Sequence, residues 1–403
     1  MVVHSGTCGE YEVCSIKFEV FSYITPVNFT KSLAGVEQAF QRNFSERGEL
    51  GASVSIWHDG EEILSLASGW CEREKERPWT RETLVPFYST TKGLAAATLL
   101  MVLEENGLSP ESVVCDVWER FPIEGATFGQ LMSHRLGLAA LDQPASVWNH
   151  DEVIRAVENQ EPNWKLNNEV GGHGYHPRVL GFIQDEVVRK LTGDSLGKVW
   201  RVKIAEPLKL NAWIGLPEEE FSRVAHIYPG KQNKEDLQTG FYRELNTPKS
   251  LVQRAFASPQ GLRSVREMNE PRAWQSGLTS MGGIGTASAV AEFYQAACGA
   301  NDFFSQQVRT WMSSIRSTGD DKILMAPTAY SCGFHLDPLD GFGRKTRHHY
   351  GISRYAFGHP GAGGSHAFGD PEHRLSFSYT MNQMELSPLP QSKCLDMVKA
   401  LYL

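Results

Sequence analysis

The spacing of apolar residues along the chain changes with position, and each change predicts a different kind of element. Within residues 31–48, four apolar side chains recur at helical spacing, which predicts a helix. Residues 52–58 instead alternate apolar and polar side chains, and Asp59-Gly60 separates them from a second apolar segment at 63–67. Two such segments joined by Asp-Gly predict an antiparallel hairpin.

A second group of predicted strands lies near the other end of the chain. Residues 354–359 and 365–368 have strand-like composition, and residues 375–381 alternate again. A helix is predicted at 392–401. Each group of strands is too short to bury its apolar face alone. We therefore expect one antiparallel sheet built from both ends of the chain.

The segment between the two groups is mainly helical in pattern, from about residue 93 to residue 320, with loops at 139–149 and 227–250. This order predicts the α+β class, with a helix-flanked sheet and a large inserted helical domain. The predicted units are an N-terminal extension (1–30), a sheet domain (31–92 with 321–403) and the inserted domain (93–320). We expect the active site at the interface between the last two.

Composition excludes several classes of partner. The chain has 403 residues, of which 41% are hydrophobic and 21% charged, as is usual for a globular protein. The net charge of -8 offers no basic surplus to neutralise phosphates, so neither nucleic acid nor an anionic membrane is an expected partner. The longest apolar run, residues 93–103, has about half the length needed to span a bilayer.

The seven cysteines and the N-terminus bear on the compartment. The cysteines are scattered and form no C-x-x-C pair, which favours a reducing compartment. Glu10, Glu12 and Lys17 interrupt the N-terminal segment where a secretory signal would be apolar. A cytoplasmic location is therefore predicted. The histidines lack the spacing of a metal site, so we expect neither a metal nor another cofactor.

The first candidate for chemistry is Ser89-Thr-Thr-Lys92, immediately before the apolar helix that starts near residue 93. Residues three apart on a helix share a face, so Lys92 can direct its amine at the Ser89 hydroxyl. A serine needs a neighbouring base to become a nucleophile, and a buried lysine can be neutral enough to serve. The N–H groups of the helix N-terminus could stabilise an oxyanion.

A second match limits how much this pattern establishes. Ser195-Leu-Gly-Lys198 has the same spacing, and Gly193-Asp-Ser-Leu-Gly197 also matches the nucleophile elbow, G-x-S-x-G. An elbow requires a strand before the serine, whereas the preceding residues have helical spacing. Gly193 is therefore predicted to be a helix C-cap and Asp194 the N-cap of the next helix. An elbow-type esterase with Ser195, a later aspartate and His359 is the disfavoured alternative.

Further motifs carry a resemblance to a known family. They are Tyr88-Ser-Thr-Thr-Lys-Gly93, His134-Arg-Leu-Gly-Leu138, Gly174-Tyr-His-Pro177 and Phe357-Gly-His-Pro-Gly-Ala-Gly-Gly-Ser365. In order and spacing they resemble the serine beta-lactamase and penicillin-binding-protein superfamily. The chain is most similar to class C beta-lactamase-like enzymes, particularly family VIII carboxylesterases. The resemblance extends from about Phe40 to the C-terminus.

The resemblance implies a role for each matched residue. Ser89 would be the acylated nucleophile, Lys92 its proton acceptor or electrostatic partner, and Tyr175 the second member of a proton relay. An adjacent lysine ammonium would favour the phenolate form of that tyrosine. Tyr88 is expected to contribute to substrate binding.

The third motif, His359-Pro-Gly361, would line the site as a strand. There Gly361 would permit close approach of backbone and substrate, and the N–H of Ala362 would join that of Ser89 in an oxyanion hole. His359 would be a polar wall group. The glycine-rich segment 282–286 is interpreted as a loop at the rim of the site.

Two departures from the family pattern bear on the substrate. Pro177 stands where beta-lactamases have an asparagine, and the third motif lacks the lysine that would pair with a beta-lactam carboxylate. Both favour a neutral small-molecule ester. The sequence therefore predicts a carboxylesterase for short acyl chains that acts through an acyl-enzyme and has at most weak beta-lactam activity. The alternatives are a peptidase, amidase or acyltransferase at the same site, and a catalytically silent binding or scaffold protein.

Overall fold

The computed structural model describes residues 29–166, 172–231 and 239–403, so the predicted N-terminal extension lies outside it up to residue 28. Its α+β architecture confirms the predicted fold class. The helices are α1 (Phe29–Glu46), α2 (Thr91–Glu105), α3 (Phe128–Met132), α4 (His150–Glu158), α5 (Val179–Thr192), α6 (Leu196–Trp200), α7 (Gly240–Asn246), α8 (Leu251–Ala257), α9 (Val265–Met268), α10 (Pro271–Gln275), α11 (Ala287–Ala297), α12 (Gln306–Ser313) and α13 (Ser392–Leu401). The strands are β1 (Gly51–His58), β2 (Glu61–Gly69), β3 (Val85–Pro86), β4 (Ala212–Ile214), β5 (Gly283–Gly285), β6 (Ser317–Asp320), β7 (Pro327–Tyr330), β8 (His335–Leu336), β9 (Phe357–Pro360), β10 (His366–Asp370) and β11 (Leu375–Met381).

The large sheet joins the two ends of the chain, as predicted. Its strand order is β2-β1-β11-β10-β9-β8-β7-β6, and every neighbouring pair is antiparallel. The predicted hairpin is confirmed by β1 and β2, which are connected through Asp59 and Gly60, both with positive φ. Strand β1 pairs along its other edge with β11, where Ala52 lies opposite Met381.

Alternation along β11 explains why helices cover both faces of this sheet. Leu375, Phe377 and Tyr379 belong to a core cluster that includes residues of α1 and α13, which pack against each other. Ser376 points to the opposite face, where its hydroxyl donates to the Ala291 carbonyl of α11 at 2.6 Å. Successive residues of one central strand therefore bind two helical layers.

A small second sheet, which the sequence did not predict, lies next to α2. Its order is β3-β5-β4, and β5 falls in the glycine-rich segment that we had interpreted as a rim loop. That interpretation was wrong because glycine, which has no side chain, allows this segment to pack closely as a strand. A Cβ on Gly283 would lie 2.3 Å from the Phe87 ring. The sheet thus fixes the segment that leads to Ser89.

The predicted loop at 227–250 also needs correction. Residues 232–238 lie outside the described chain, but residues 240–246 form α7. Its start carries an N-cap, since the Thr239 hydroxyl accepts the N–H of Tyr242. In the part of the chain that the structure describes, no helix is both long and apolar enough to cross a membrane.

Candidate active site

A strained turn presents Ser89 at the start of α2. Tyr88 has a φ of 45°, a left-handed conformation that costs roughly 1 kcal/mol in a non-glycine residue. Its carbonyl accepts the Thr91 N–H at 3.0 Å and also a hydrogen bond from the Thr91 hydroxyl. That hydroxyl in turn accepts the N–H of Gly283 at 2.8 Å, which ties the turn to the small sheet. Ser89 is left partly exposed.

Lys92 is held in the first turn of α2 with its amine against Ser89, as the spacing predicts. Lys92 Nζ lies 3.2 Å from Ser89 Oγ and 2.8 Å from the carbonyl oxygens of both Pro177 and Ser280. The side chain is 1% exposed. Burial, and secondarily the charge of Arg178, hold the pKa of Lys92 well below its usual value.

Burial favours the neutral form of Lys92, and the three oxygens around Nζ are compatible with that form. A neutral amine has two N–H donors and one lone pair. The two carbonyl oxygens, of Pro177 and Ser280, can only accept, so they take both N–H groups. The lone pair then faces the Ser89 hydroxyl. In this form Nζ can accept the proton of that hydroxyl.

Tyr175 completes the group of side chains around Ser89. Its buried side chain lies beside that of Ser89, which acts on its pKa, and Lys92 Nζ lies 5.0 Å from the centre of its ring. Burial raises the pKa of Tyr175 above its usual value, although the neighbouring Ser89 side chain acts in the opposite direction. The tyrosine is therefore a neutral phenol. The expected phenolate is not favoured because burial penalises its negative charge.

Asp321, which sequence reasoning did not single out, anchors the backbone of Tyr175. Its buried carboxylate accepts the Tyr175 N–H at 3.0 and 3.1 Å and the Tyr330 hydroxyl at 2.8 Å. It also accepts the N–H groups of Ile323 and Leu324, both at 2.8 Å. One charge therefore fixes the loop that carries the tyrosine. In the sequence, Gly-Asp-Asp would be read as an exposed turn.

The third motif lies directly against the nucleophile segment. A Cβ on Gly361 would lie 2.2 Å from the carbonyl oxygen of Phe87, so only glycine fits there. The close approach expected at this position is thus made to the protein's own backbone. The N–H groups of Ser89 and Ala362 have no hydrogen-bond acceptor among residues 29–166, 172–231 and 239–403. Both remain available to an incoming oxygen atom.

His359 is a buried neutral side chain beside Tyr175. Its Nδ1 lies 2.8 Å from the Pro360 carbonyl oxygen, so Nδ1 carries the proton and Nε2 the lone pair. The ring centre lies 6.0 Å from that of Tyr175 and 4.6 Å from that of His335. Burial holds the pKa of His359 well below its usual value.

Ser195 has a structural place that differs from that of Ser89. Helix α5 precedes it and ends at Gly193, whose φ of 81° confirms the predicted C-cap. The predicted N-cap at Asp194 was wrong by one residue: the Ser195 hydroxyl itself accepts the Lys198 N–H at 3.4 Å. Asp194 instead binds Lys198 Nζ at 2.7 Å, because its side chain reaches the exposed lysine. No strand precedes Ser195, and no base contacts it in the described part of the chain.

In the described ranges, Cys71, Cys115, Cys298, Cys332 and Cys394 are free thiols. The same ranges contain no group of three or more histidine, cysteine or acidic side chains arranged to hold a metal ion.

The fold and the side chains around Ser89 are those of a serine hydrolase, and comparison of the sequence with known protein families identifies the family. The family model described as "Beta-lactamase" matches residues 36–393, so the chain belongs to the beta-lactamase family. The predicted resemblance is thus confirmed.

Several individual proteins of known name or structure are similar to this chain over most of its length. The Esterase/beta-lactamase LipL of Mycobacterium tuberculosis is 26% identical over 368 residues, which cover 88% of this chain and 82% of that protein. Two solved structures, a penicillin-binding-protein homologue from Caulobacter crescentus and a family VIII carboxylesterase, each align with a TM-score of 0.80 and 28% identity. Both alignments cover 92% of this chain and 97% of the solved one.

Proposed function

We propose that the protein is a serine carboxylesterase that cleaves neutral esters with short acyl chains through a covalent acyl-enzyme on Ser89. The observation that carries the proposal is the position of Lys92 Nζ, with two carbonyl groups at 2.8 Å and Ser89 Oγ at 3.2 Å. This geometry supports a role for the neutral amine as acceptor of the serine proton. A neutral lysine in this role needs no histidine base.

The acylation step follows from the proton positions. Ser89 Oγ attacks the carbonyl carbon of the ester while its proton passes to Lys92 Nζ. The electron pair of the ester C=O moves to the oxygen, and the N–H groups of Ser89 and Ala362 stabilise the resulting oxyanion. The tetrahedral intermediate collapses, the C–O bond to the alcohol breaks, and the leaving oxygen must gain a proton.

Tyr175 is the proposed proton donor to that alcohol. Its phenol can give its proton to the leaving oxygen and recover one from the Lys92 ammonium, which returns both side chains to their neutral forms. The raised pKa of Tyr175 keeps the proton on the phenol until an alkoxide, a stronger base, develops beside it. In the second half of the reaction, water attacks the acyl-enzyme. Its proton returns to Ser89 Oγ through Tyr175 and Lys92, and the acid is released.

The surroundings of Tyr175 support an uncharged, apolar substrate. The ring belongs to an apolar cluster whose partly exposed members include Trp164, Leu251 and Phe256. His359, at the position of the family's lysine, is neutral and cannot pair with a carboxylate as that lysine would. The names of two similar proteins, a family VIII carboxylesterase and Esterase/beta-lactamase LipL, agree with ester cleavage.

Covalent labelling tests the proposal. The protein is treated with a fluorophosphonate, its intact mass is measured, and the adduct is mapped by peptide analysis. We expect one adduct on Ser89 and p-nitrophenyl butyrate hydrolysis that disappears as the adduct forms. An adduct on Ser195 would support the elbow-type alternative, and an unlabelled, inactive protein would support a silent binding role. Beta-lactam hydrolysis faster than ester hydrolysis would contradict the substrate assignment.

A further inference from the structure

A cavity of about 690 Å³ lies beside the candidate active site, between α5, α6, β4 and residues 275–281. One face of α5 lines it, through Arg178, Gly181, Phe182 and Asp185. Ser280, whose carbonyl binds Lys92, also lines it. The residues proposed to carry the chemistry do not: these are Ser89, Lys92, Tyr175 and Ala362. The cavity therefore adjoins the site without being part of it.

The cavity lining has a large excess of positive charge. Its basic side chains are Arg178, Arg189, Lys198, Arg201 and Arg272, whereas Asp185 is the single carboxylate among the lining residues. Asp185 is already used, since it binds Arg189 Nε at 2.9 Å and the Leu196 N–H at 2.6 Å.

Two of the basic side chains lack an acidic partner. Lys198 and Arg201 pair with carboxylates outside the lining, those of Asp194 and Glu206. Arg178 and Arg272 lie within 4 Å of no carboxylate in the ranges that the structure describes. Within these ranges neither arginine therefore forms an ion pair, and the acidic side chain that acts on Arg178, Glu267, does so from farther away.

Arg178 is the more unusual of the two because it is 5% exposed. Its terminal nitrogens donate to the carbonyl oxygens of Phe256, Leu262 and Gly261, which are neutral groups. Its buried Nε–H has no acceptor in the described part of the chain. Burial lowers the pKa of Arg178 only to about 10, so the charge persists at neutral pH. A buried charge without a directly paired anion is costly to fold.

Arg272 brings the second charge to the same end of the cavity. Its guanidinium carbon lies 4.2 Å from the centre of the Trp148 ring. Trp148 packs against Gly261, since a Cβ on that glycine would lie 3.3 Å from the indole nitrogen. The carbonyl of Gly261 is in turn a partner of Arg178. A chain of contacts through Trp148 and Gly261 thus links the two arginines.

The remaining walls offer apolar surface to the body of a ligand. Phe182, Trp213 and Met281 line the cavity in addition to Trp148. We propose that this cavity is a second binding site, for a small organic carboxylate whose anionic group pairs with Arg178 and Arg272 and whose flat apolar body contacts the aromatic walls. Pockets of this volume, mostly apolar with a few fixed polar groups, are typical of small-molecule sites.

The test uses 2-naphthoate as the probe and 2-naphthylmethanol as its neutral counterpart. Titration calorimetry is done on protein whose Ser89 carries the fluorophosphonate adduct, so that the candidate active site is blocked. We expect one naphthoate per chain and at least tenfold weaker binding of the alcohol, because the alcohol cannot pair with the arginines. Absence of naphthoate binding, or equal affinity for the two probes, would overturn the proposal.

Variants locate the bound probe. Arg178→Met should weaken naphthoate binding at least tenfold. Since removal of a buried arginine can prevent folding, Arg272→Gln provides an exposed second variant with the same expected direction. The matched control is Arg354→Gln, because Arg354 also lies over an aromatic ring, that of Tyr355, but not in the cavity.

The variant measurements separate this proposal from the proposed function. Equal affinities in Arg272→Gln and Arg354→Gln would show that the probe binds elsewhere. If Ser89 does not react with the fluorophosphonate, the acyl-enzyme proposal fails, and the same variants in unlabelled protein still decide whether the cavity binds the anion.

Discussion

The two Ser-x-x-Lys segments of this chain have equal spacing and opposite surroundings. Lys92 is 1% exposed and its amine is confined between two carbonyl groups and Ser89. The Lys198 side chain is 62% exposed, and its amine pairs with Asp194. Spacing brings a lysine to the correct helix face in both cases. In the proposed mechanism, burial without an acidic partner is what allows the amine of Lys92 to act as a base.

Removal of a serine hydroxyl should give the largest difference in activity between the two Ser-x-x-Lys segments. Ser89→Ala should lower kcat/KM for p-nitrophenyl butyrate by on the order of 10⁴-fold or more, because no nucleophile remains. Ser195→Ala should leave kcat/KM within about twofold, since Ser195 only caps a helix. Circular dichroism of both variants controls for folding. The assignment would be wrong if Ser195→Ala were the inactive variant.

Substitution of the two residues of the proposed proton relay should cause the next largest loss of activity. Lys92→Met and Tyr175→Phe should each lower kcat by on the order of a hundredfold or more, whereas Lys198→Met should leave it unchanged. If Lys92 and Tyr175 move the same proton, the double variant should lose much less than the product of the single losses. A fully active Tyr175→Phe enzyme, or strictly multiplicative losses, would remove the tyrosine from the relay.

Asp321 should give a smaller effect because it acts through Tyr175. Asp321→Asn replaces one acceptor oxygen by an amide that faces the Tyr175 N–H, so we expect kcat to fall roughly tenfold with little change in KM. Loss of a buried charge with several donors should also lower the free energy of unfolding by roughly 3 kcal/mol. Asp320→Asn, at the exposed neighbouring residue, is the control and should change neither kcat nor the free energy of unfolding.

The activity of a double variant distinguishes positioning from general damage. In a Tyr175→Phe background, Asp321→Asn should cause no further fall in kcat, since the hydroxyl that it positions is already gone. A further tenfold loss there would show that Asp321 acts by another route.

The smallest effect concerns the capping role of Ser195. Ser195→Ala removes the acceptor of the Lys198 N–H and should lower the free energy of unfolding by about 1 kcal/mol, as measured by urea denaturation. Ser195→Asp should restore most of that stability, because an aspartate also caps a helix. If the alanine variant were as stable as the original protein, Ser195 would have no structural role at α6.

Local signals account for the parts of the fold and site that the sequence predicted. The Ser89 and Lys92 side chains lie three residues apart on one helix, so helical geometry alone places them together. The hairpin of β1 and β2 is likewise specified by alternation and an Asp-Gly turn. Tyr175, by contrast, could be named only by resemblance to a family.

The missed parts depend on contacts that no side-chain pattern marks. The groups that fix the Lys92 amine are backbone carbonyls, of Pro177 and Ser280, which any residue could supply. Strand β5 is short and rich in glycine, so it has no alternation to detect. Asp321 differs from the exposed Asp320 only in the burial that the fold imposes. Such features follow from the tertiary structure and cannot be read from local sequence.

The pairing of β1 with β11 has a consequence for the order of events during synthesis. Ribosomes add roughly 5–20 residues per second. Ser89 therefore leaves the ribosome on the order of tens of seconds before β11, the strand that joins β1 to the rest of the sheet. Throughout that interval, the edge of β1 that will bind β11 has no partner in the sheet. We expect nascent chains to be inactive and open to proteolysis until this last strand is inserted.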